Sequence, residues 1–113
     1  MSKIILMAEL VPEEGCLDAV LYYISLWHAE TRKQPGCLST SLSVNGNGSK
    51  VYTLDHWTDE ESMTDYLDWL ADQGDLIKIN SYLAEEPVSQ TLTLVDPEFY
   101  RTAAPPDAPS AAG

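Results

Sequence analysis

Two titratable side chains stand in regular patterns that could present them for proton transfer. His28 continues the apolar stripe of a helical run, in line with Leu21 and Ile24. Asp55 belongs to a strand-like run in which it shares one face with Thr53. A histidine titrates near neutral pH and can act as a general base, and a buried carboxyl can orient that base or accept a proton itself. We therefore take His28 and Asp55 as candidate catalytic residues.

Each of these side chains has a structural alternative. His28 could be a core histidine satisfied by a neighbouring polar group, and Asp55 could be a carboxylate bonded to helix-end amides. Tyr66 faces inward on the second predicted helix, where it could donate to a substrate oxygen or simply pack. His56 alternates to the opposite face of its strand, so we expect it at a subunit interface rather than at a catalytic site.

Composition and charge exclude several classes of partner. The 113 residues include 18 acidic and 6 basic side chains, a net charge of −12 that repels nucleic acids and anionic lipids. No apolar run is long enough to span a bilayer, and the N-terminus does not resemble a secretory signal. Cys16 and Cys37 bracket one long predicted helix, too far apart for a disulfide, and no metal-ligand spacing is present. We expect a cytoplasmic protein without a metal.

Periodicity predicts one α+β domain over residues 1–96. Strands are predicted at 3–11, 37–44, 49–57 and 87–95, with helices at 12–33 and 58–73 and a short one after Asp75. Asn45-Gly46-Asn47-Gly48 favours a hairpin turn, and Thr58 with Glu61 forms a capping box. The order β-α-β-β-α-β is the ferredoxin-like arrangement. The Pro- and Ala-rich tail, residues 97–113, is predicted to be disordered.

The same pattern predicts a homodimer. Two helices cover only one face of a four-stranded sheet, yet the first and third strands carry bulky groups on both faces. An uncovered apolar face is an association surface, and stacking two such sheets would bury it. Phe99 and Tyr100, just beyond the last strand, are expected to anchor on the partner subunit.

Two motifs carry a family resemblance. Gln34-Pro35-Gly36-Cys37-Leu38 and, after the hairpin, Leu54-Asp55-His56-Trp57-Thr58-Asp59-Glu60-Glu61 resemble the antibiotic biosynthesis monooxygenase family. The resemblance covers about residues 3 to 95. It implies a dimeric α+β barrel; several members are cofactor-independent oxygenases that convert anthrone-like polyketides to quinones, whereas others degrade haem or process signalling molecules.

The resemblance also implies site residues. Trp57 should face a cavity between sheet and helices, where its indole could hold a planar ring and bond a carbonyl; its alternative is a large core residue. Family oxygenases carry asparagine near Met7 and Thr53 and tyrosine near Met63, and haem-degrading members carry histidine near Leu67. Those catalytic groups are absent here. The substrate-binding residues are predicted to be Tyr66, Thr53, Met7, Met63 and Ile24.

The leading hypothesis is a cofactor-independent monooxygenase that acts on an aromatic polyketide-like substrate with O₂. His28 would remove a proton, the substrate carbanion would pass an electron to O₂ directly, and Trp57 would hold the ring and the developing oxyanion. A cyclase or isomerase would use the same base and cavity without oxygen. A non-catalytic binding or dimerisation module is the third hypothesis, and it predicts a tightly filled core beside Trp57.

Overall fold

The strands and helices follow the predicted order. The computed structural model describes residues 3–73 and 75–102. Its strands are β1 (Ile4–Leu10), β2 (Cys37–Val44), β3 (Val51–Trp57) and β4 (Val88–Thr93), and its helices are α1 (Leu17–Thr31), α2 (Glu60–Gln73), α3 (Asp75–Asn80) and α4 (Pro97–Thr102). The strands form one antiparallel sheet in the order β2-β3-β1-β4. The predicted ferredoxin-like α+β fold is confirmed.

The core lies between α1, α2 and α3 and one face of the sheet. On the central strand β3, Val51, Asp55 and Trp57 are buried, while Tyr52 and Leu54 between them point to the other face. Val20 and Ile24 of α1 join Val51 in one apolar cluster. A second cluster surrounds Trp57 and takes its members from β1 and α2: Ile4, Met63, Tyr66 and Leu70.

The first helix begins later than its sequence predicts. Proline and two glutamates favour a start at Pro12, but α1 begins at Leu17. Pro12 instead forms a bridge with Leu83, and the Glu13 amide donates to the Tyr82 carbonyl at 2.9 Å. This pairing holds the segment in an extended form, so the tertiary contact outweighs the local helix signal. Cys16, at the start of the helix, is a free thiol.

The cap of the second helix also differs from the prediction. The carboxylate of Asp59, not the hydroxyl of Thr58, accepts the backbone amide of Ser62 at 2.7 Å. Thr58 donates its hydroxyl to the same carboxylate at 3.1 Å. Helix α2 therefore begins at Glu60 with Asp59 as its N-cap, one residue after the predicted position.

The chain continues as a short helix beyond the last strand. Residues 97–102 form α4, where a disordered tail was predicted, because the Asp96 carboxylate accepts the Glu98 amide at 2.9 Å and caps the first turn. Phe99 and Tyr100 each expose 60% of their surface on this helix. The remainder of the predicted tail, residues 103–113, lies outside the described residues.

A glycine turn joins the end of α1 to the start of β2 and to the end of β3. Gly36 has a φ of +85°, and its carbonyl accepts the Thr58 amide at 2.9 Å. A Cβ at this position would collide with the side chain of Ser62 at the start of α2. The turn thus fixes the ends of α1 and β3 relative to α2, and it needs glycine both for its backbone conformation and for space.

We predict that Gly36→Ala destabilises the fold by about 3 kcal/mol, from left-handed strain together with overpacking. Gly15 is a matched control because its φ is +81° but a methyl group there would meet nothing within 4 Å. Gly15→Ala should therefore cost only the strain, about 1–2 kcal/mol. Chemical denaturation of both variants measures the difference, and equal losses would contradict the close approach to Ser62.

Candidate functional site

A cavity opens between the inner face of the sheet and the helices. Its volume is about 310 Å³, at the lower end of the roughly 300–1,000 Å³ of small-molecule sites. Helices α1 and α2 contribute Ile24, Trp27, Leu67 and Leu70 to its walls, and most of the lining is apolar. The size and the apolar walls suit a small planar ligand. Its polar lining includes His28, Thr53, Asp55, Tyr66, Ser89 and Thr91.

His28 and Asp55 meet at this cavity. His28 Nε2 lies 3.5 Å from Asp55 Oδ1, and each residue exposes only 5% of its surface. Asp55 Oδ1 has no hydrogen-bond partner among the described residues. The contact with His28 therefore offsets only part of the cost of burying this carboxyl. The two candidates that sequence patterns identified separately, one on α1 and one on β3, therefore form a single buried pair.

Burial shifts the pKa values of both members toward their neutral forms. Desolvation raises the pKa of Asp55 from 3.8 to about 7. Desolvation, and secondarily the positive charge of Arg32, lower the pKa of His28 below 6.5. At neutral pH the histidine is therefore an unprotonated imidazole, and the carboxyl exchanges its proton near the same pH. Such a pair is suited to accept a proton from a bound molecule.

Tyr66 lines the cavity and is held by contacts with three neighbouring residues. Its hydroxyl oxygen lies 2.9 Å from Thr31 Oγ1, a fully buried hydroxyl on α1. Its ring lies against Trp57, with centroids 4.8 Å apart, and against Trp69 at 6.1 Å. Burial raises the pKa of the Tyr66 phenol well above its usual range, so it stays protonated. The side chain has one well-defined orientation at the cavity wall.

Trp57 lies behind Tyr66 rather than on the cavity wall. Its side chain is fully buried, and it does not belong to the cavity lining. The prediction that Trp57 faces the cavity is therefore corrected: it is on the inner face, but the Tyr66 ring covers it. Its indole nitrogen has no hydrogen-bond partner among the described residues.

The predicted substrate-binding residues divide into two groups. Tyr66, Thr53 and Ile24 line the cavity. Met63 is buried beside Trp57 in the core, where it does not reach the cavity. Met7 pairs with Leu54 on the outer face of the sheet, because alternation turns Leu6 and Ala8 inward instead. The prediction that Met7 and Met63 line the site is thus corrected by the strand register and by the packing around Trp57.

Two residues of the site had no role assigned from the sequence. Trp27 lies on the cavity wall, and Thr31 holds the Tyr66 hydroxyl. Both stand on the helical stripe that contains His28, at positions i−1 and i+3, so periodicity placed them on the buried side of α1. Their roles depend on a contact with α2, which the spacing along one helix does not specify.

Comparisons with known proteins agree with this architecture. Residues 3–69, more than half of the chain, match the family model described as antibiotic biosynthesis monooxygenase. No curated protein matches the chain at a significant level.

No helix in residues 3–73 or 75–102 is both long and apolar enough to cross a membrane.

Several solved structures share the fold at low sequence identity. Protein SO0527 from Shewanella oneidensis aligns with a TM-score of 0.73 and 19% identity over 82% of this chain and 91% of its own. Rv0793 from Mycobacterium tuberculosis has a TM-score of 0.69 and 17% identity, covering 84% and 97%. A variant of SnoaB from Streptomyces nogalater, a cofactor-independent oxygenase, has a TM-score of 0.76 and 11% identity, covering 85% and 96%. At these identities the likeness establishes the fold.

The raised pKa of Asp55 predicts a pH-dependent stability. Because the pKa is 3.8 for an unperturbed aspartate and about 7 in the folded protein, the unfolded chain ionises first as pH rises. Wild-type protein should therefore lose stability relative to Asp55→Asn between these two values, by at most about 4 kcal/mol. Denaturant unfolding at about pH 5 and about pH 8 measures the larger part of this difference, about 2–3 kcal/mol.

Asp68→Asn is the matched control, since Asp68 is an exposed carboxylate on α2. The difference between this variant and wild type should change little over the same range. A stability difference between wild type and Asp55→Asn that stays constant with pH would contradict the burial of an ionisable Asp55.

Proposed function

The chain belongs to the antibiotic biosynthesis monooxygenase family, and from this membership we propose that it is a cofactor-independent monooxygenase of aromatic polyketide-like substrates. An anthrone or a hydroquinone is the expected type of substrate, with O₂ as the second substrate. The single observation that carries the proposal is the buried His28–Asp55 pair at an apolar cavity. Such a pair supplies the proton acceptor that direct reaction with O₂ requires.

In this proposal His28 is the base and Asp55 supports it. Neutral His28 takes the acidic C–H proton of an anthrone, and an ionised Asp55 at 3.5 Å stabilises the imidazolium that forms. The transfer converts a neutral imidazole and a carboxylate into an ion pair while the substrate becomes an anion, so the net charge of the buried site stays the same. The active form of the pair therefore has His28 neutral and Asp55 ionised.

The electrons for oxygen reduction come from the substrate itself. The carbanion left by deprotonation passes one electron to O₂, and the resulting substrate radical and superoxide combine into a peroxide. After the peroxide takes up a proton, a base removes the second proton from the same carbon and the O–O bond breaks. One oxygen atom becomes the quinone carbonyl and the other leaves as water, so electrons and atoms balance between substrate and O₂.

The apolar walls and the aromatic side chains have separate roles in this reaction. The walls formed by Ile24, Trp27 and Leu70 exclude water from the carbanion, which would otherwise be reprotonated. Thr53 offers a hydroxyl beside Asp55 on the same strand face. Trp57 acts through Tyr66, which it supports from behind, and does not touch the substrate.

Activity should rise with pH as Asp55 ionises. We expect kcat/KM for anthrone oxidation to increase through about pH 7, and His28→Gln to reduce kcat at least about 100-fold by removing the base. His56→Gln, the other histidine, on the opposite sheet face, should retain activity. O₂ consumption and quinone absorbance above the enzyme-free rate measure both quantities.

The alternatives give different results in the same assay. Substrate conversion that continues without O₂ would indicate a cyclase or isomerase. Binding of anthrone-like compounds without any conversion would indicate a binding module. The filled core around Trp57 is the feature that favours this alternative. O₂ consumption that His28→Gln leaves unchanged would remove His28 from the mechanism.

We also propose that the protein works as a homodimer through the outer face of the sheet. The side chains of Ile5 and Met7 on β1, Leu54 on β3 and Leu92 on β4 share this face, which the helices leave uncovered. Exposed apolar residues continue along the chain into Leu94, Val95, Phe99 and Tyr100. Association with a second copy would remove these apolar side chains from water, which favours a dimer.

Leu54→Glu should convert the dimer to a monomer, because it places a charge in the sheet interface. Truncation after Asp96 should weaken the dimer, because it removes Phe99 and Tyr100. Leu26→Glu, which changes an exposed leucine on the helical side, is the matched control and should leave the dimer intact. Sedimentation equilibrium measures the dissociation constants. A dimer unaffected by Leu54→Glu would contradict the sheet interface.

A further inference from the structure

We propose that Thr31 makes Tyr66 a hydrogen-bond acceptor toward the cavity, so that the site selects aromatic molecules with a free hydroxyl over their methyl ethers. The inference deepens the proposed function by naming a feature of the substrate, and it rests on that function for its relevance to catalysis. Thr31 is a positioning residue here, since it acts through Tyr66 and does not line the cavity.

The direction of the hydrogen bonds follows from counting protons. The Thr31 hydroxyl has one proton, and Thr31 Oγ1 lies 3.0 Å from the Trp27 carbonyl oxygen, which can only accept. Thr31 therefore donates to Trp27. The oxygen of Thr31, 2.9 Å from the Tyr66 oxygen, then accepts the phenol proton of Tyr66.

The reverse arrangement costs two interactions. If Thr31 donated to Tyr66, the bond from Thr31 to the Trp27 carbonyl would be lost. The Tyr66 proton would then need another acceptor, and Thr31 is the only side-chain partner of its hydroxyl among the described residues. An ether in the cavity could accept the Tyr66 proton, but only at the loss of the bond from Thr31 to Trp27, so the first arrangement is favoured.

Tyr66 consequently offers lone pairs, not a proton, to a molecule in the cavity. The sequence left two roles open for this tyrosine, donation to a substrate oxygen or packing, and in the present proposal its hydroxyl accepts instead. Its ring cannot turn away freely, because it packs against the rings of Trp57 and Trp69, with centroids 4.8 and 6.1 Å away. Phenolic hydroxyls can donate to this oxygen, whereas aryl methyl ethers have no proton to give.

The other polar groups of the cavity do not supply the same discrimination. The hydroxyls of Thr53, Ser89 and Thr91 can rotate to donate or to accept, so they bond a hydroxyl and an ether alike. Below its pKa of about 7 the Asp55 carboxyl is protonated and can both donate and accept, so there it also bonds a hydroxyl and an ether alike. Tyr66 is thus the group whose acceptor role is fixed by a contact within the protein.

The experiment compares 1-naphthol with 1-methoxynaphthalene as ligands, using calorimetric titration under anaerobic conditions at about pH 5.5, where Asp55 is protonated. Wild-type protein should bind the naphthol about three- to tenfold more tightly, the effect of one net hydrogen bond. In Thr31→Val the Tyr66 proton becomes free to donate to either oxygen. The preference should therefore fall to about unity because the ether binds more tightly than it does to wild type.

Two further variants separate this effect from a general loss of structure. Thr31→Ser keeps the hydroxyl and should retain the preference of wild type. Tyr66→Phe should also lower the preference to about unity, but by weakening the naphthol while leaving the ether unchanged. This variant tests the inference even if Thr31→Val does not fold.

The proposal is overturned if Thr31→Val keeps the wild-type preference, if Thr31→Ser loses it, or if wild-type protein binds neither compound or binds both equally. A hydroxyl preference that follows the pattern above, in a protein that consumes no O₂ with any anthrone, would support the inference and remove the oxygenase proposal. Failure of the hydrogen-bond inference and failure of the oxygenase proposal therefore give different results.

Discussion

The burial of one carboxyl group constrains the centre of this molecule. Asp55 lies in the middle of the sheet face that the helices cover, where desolvation raises its pKa to about 7. The chain places His28 within 3.5 Å of it, although a leucine at each position would pack without this cost. Helix α1 must therefore hold a fixed register against β3, and the Gly36 turn, which bonds to Thr58 beyond β3, connects the two elements.

The sequence predicts the elements and the inward faces well because both depend on local periodicity. Alternation on β3 placed Asp55 and Thr53 on one side, and helical spacing placed His28 and Ile24 on the buried stripe of α1. Their convergence at one cavity was implied only through the family resemblance. The 3.5 Å contact between His28 and Asp55 depends on how α1 lies across β3, which neither pattern specifies.

The errors have the same origin in tertiary contacts. Met7 was placed by correspondence with the family, but its pairing with Leu54 turns it to the outer face. Trp57 was placed on the correct face, yet the ring of Tyr66 from α2 separates it from the cavity. At the start of α1, a bridge to Leu83 overrides a good local helix signal at Pro12. Each outcome depends on a neighbour distant in the sequence.

Helix α1 also couples the two functions of the site. His28 and Thr31 stand three residues apart and therefore lie on the same face of one helix. The first is the proposed base, and the second is the residue that we propose sets the hydrogen-bond direction of Tyr66, 2.9 Å away. A small shift of α1 would move His28 and Thr31 together, so it would change the position of the base and the bond to Tyr66 at the same time. One rigid element can thus set the angle at which a planar ring presents its acidic C–H bond to His28.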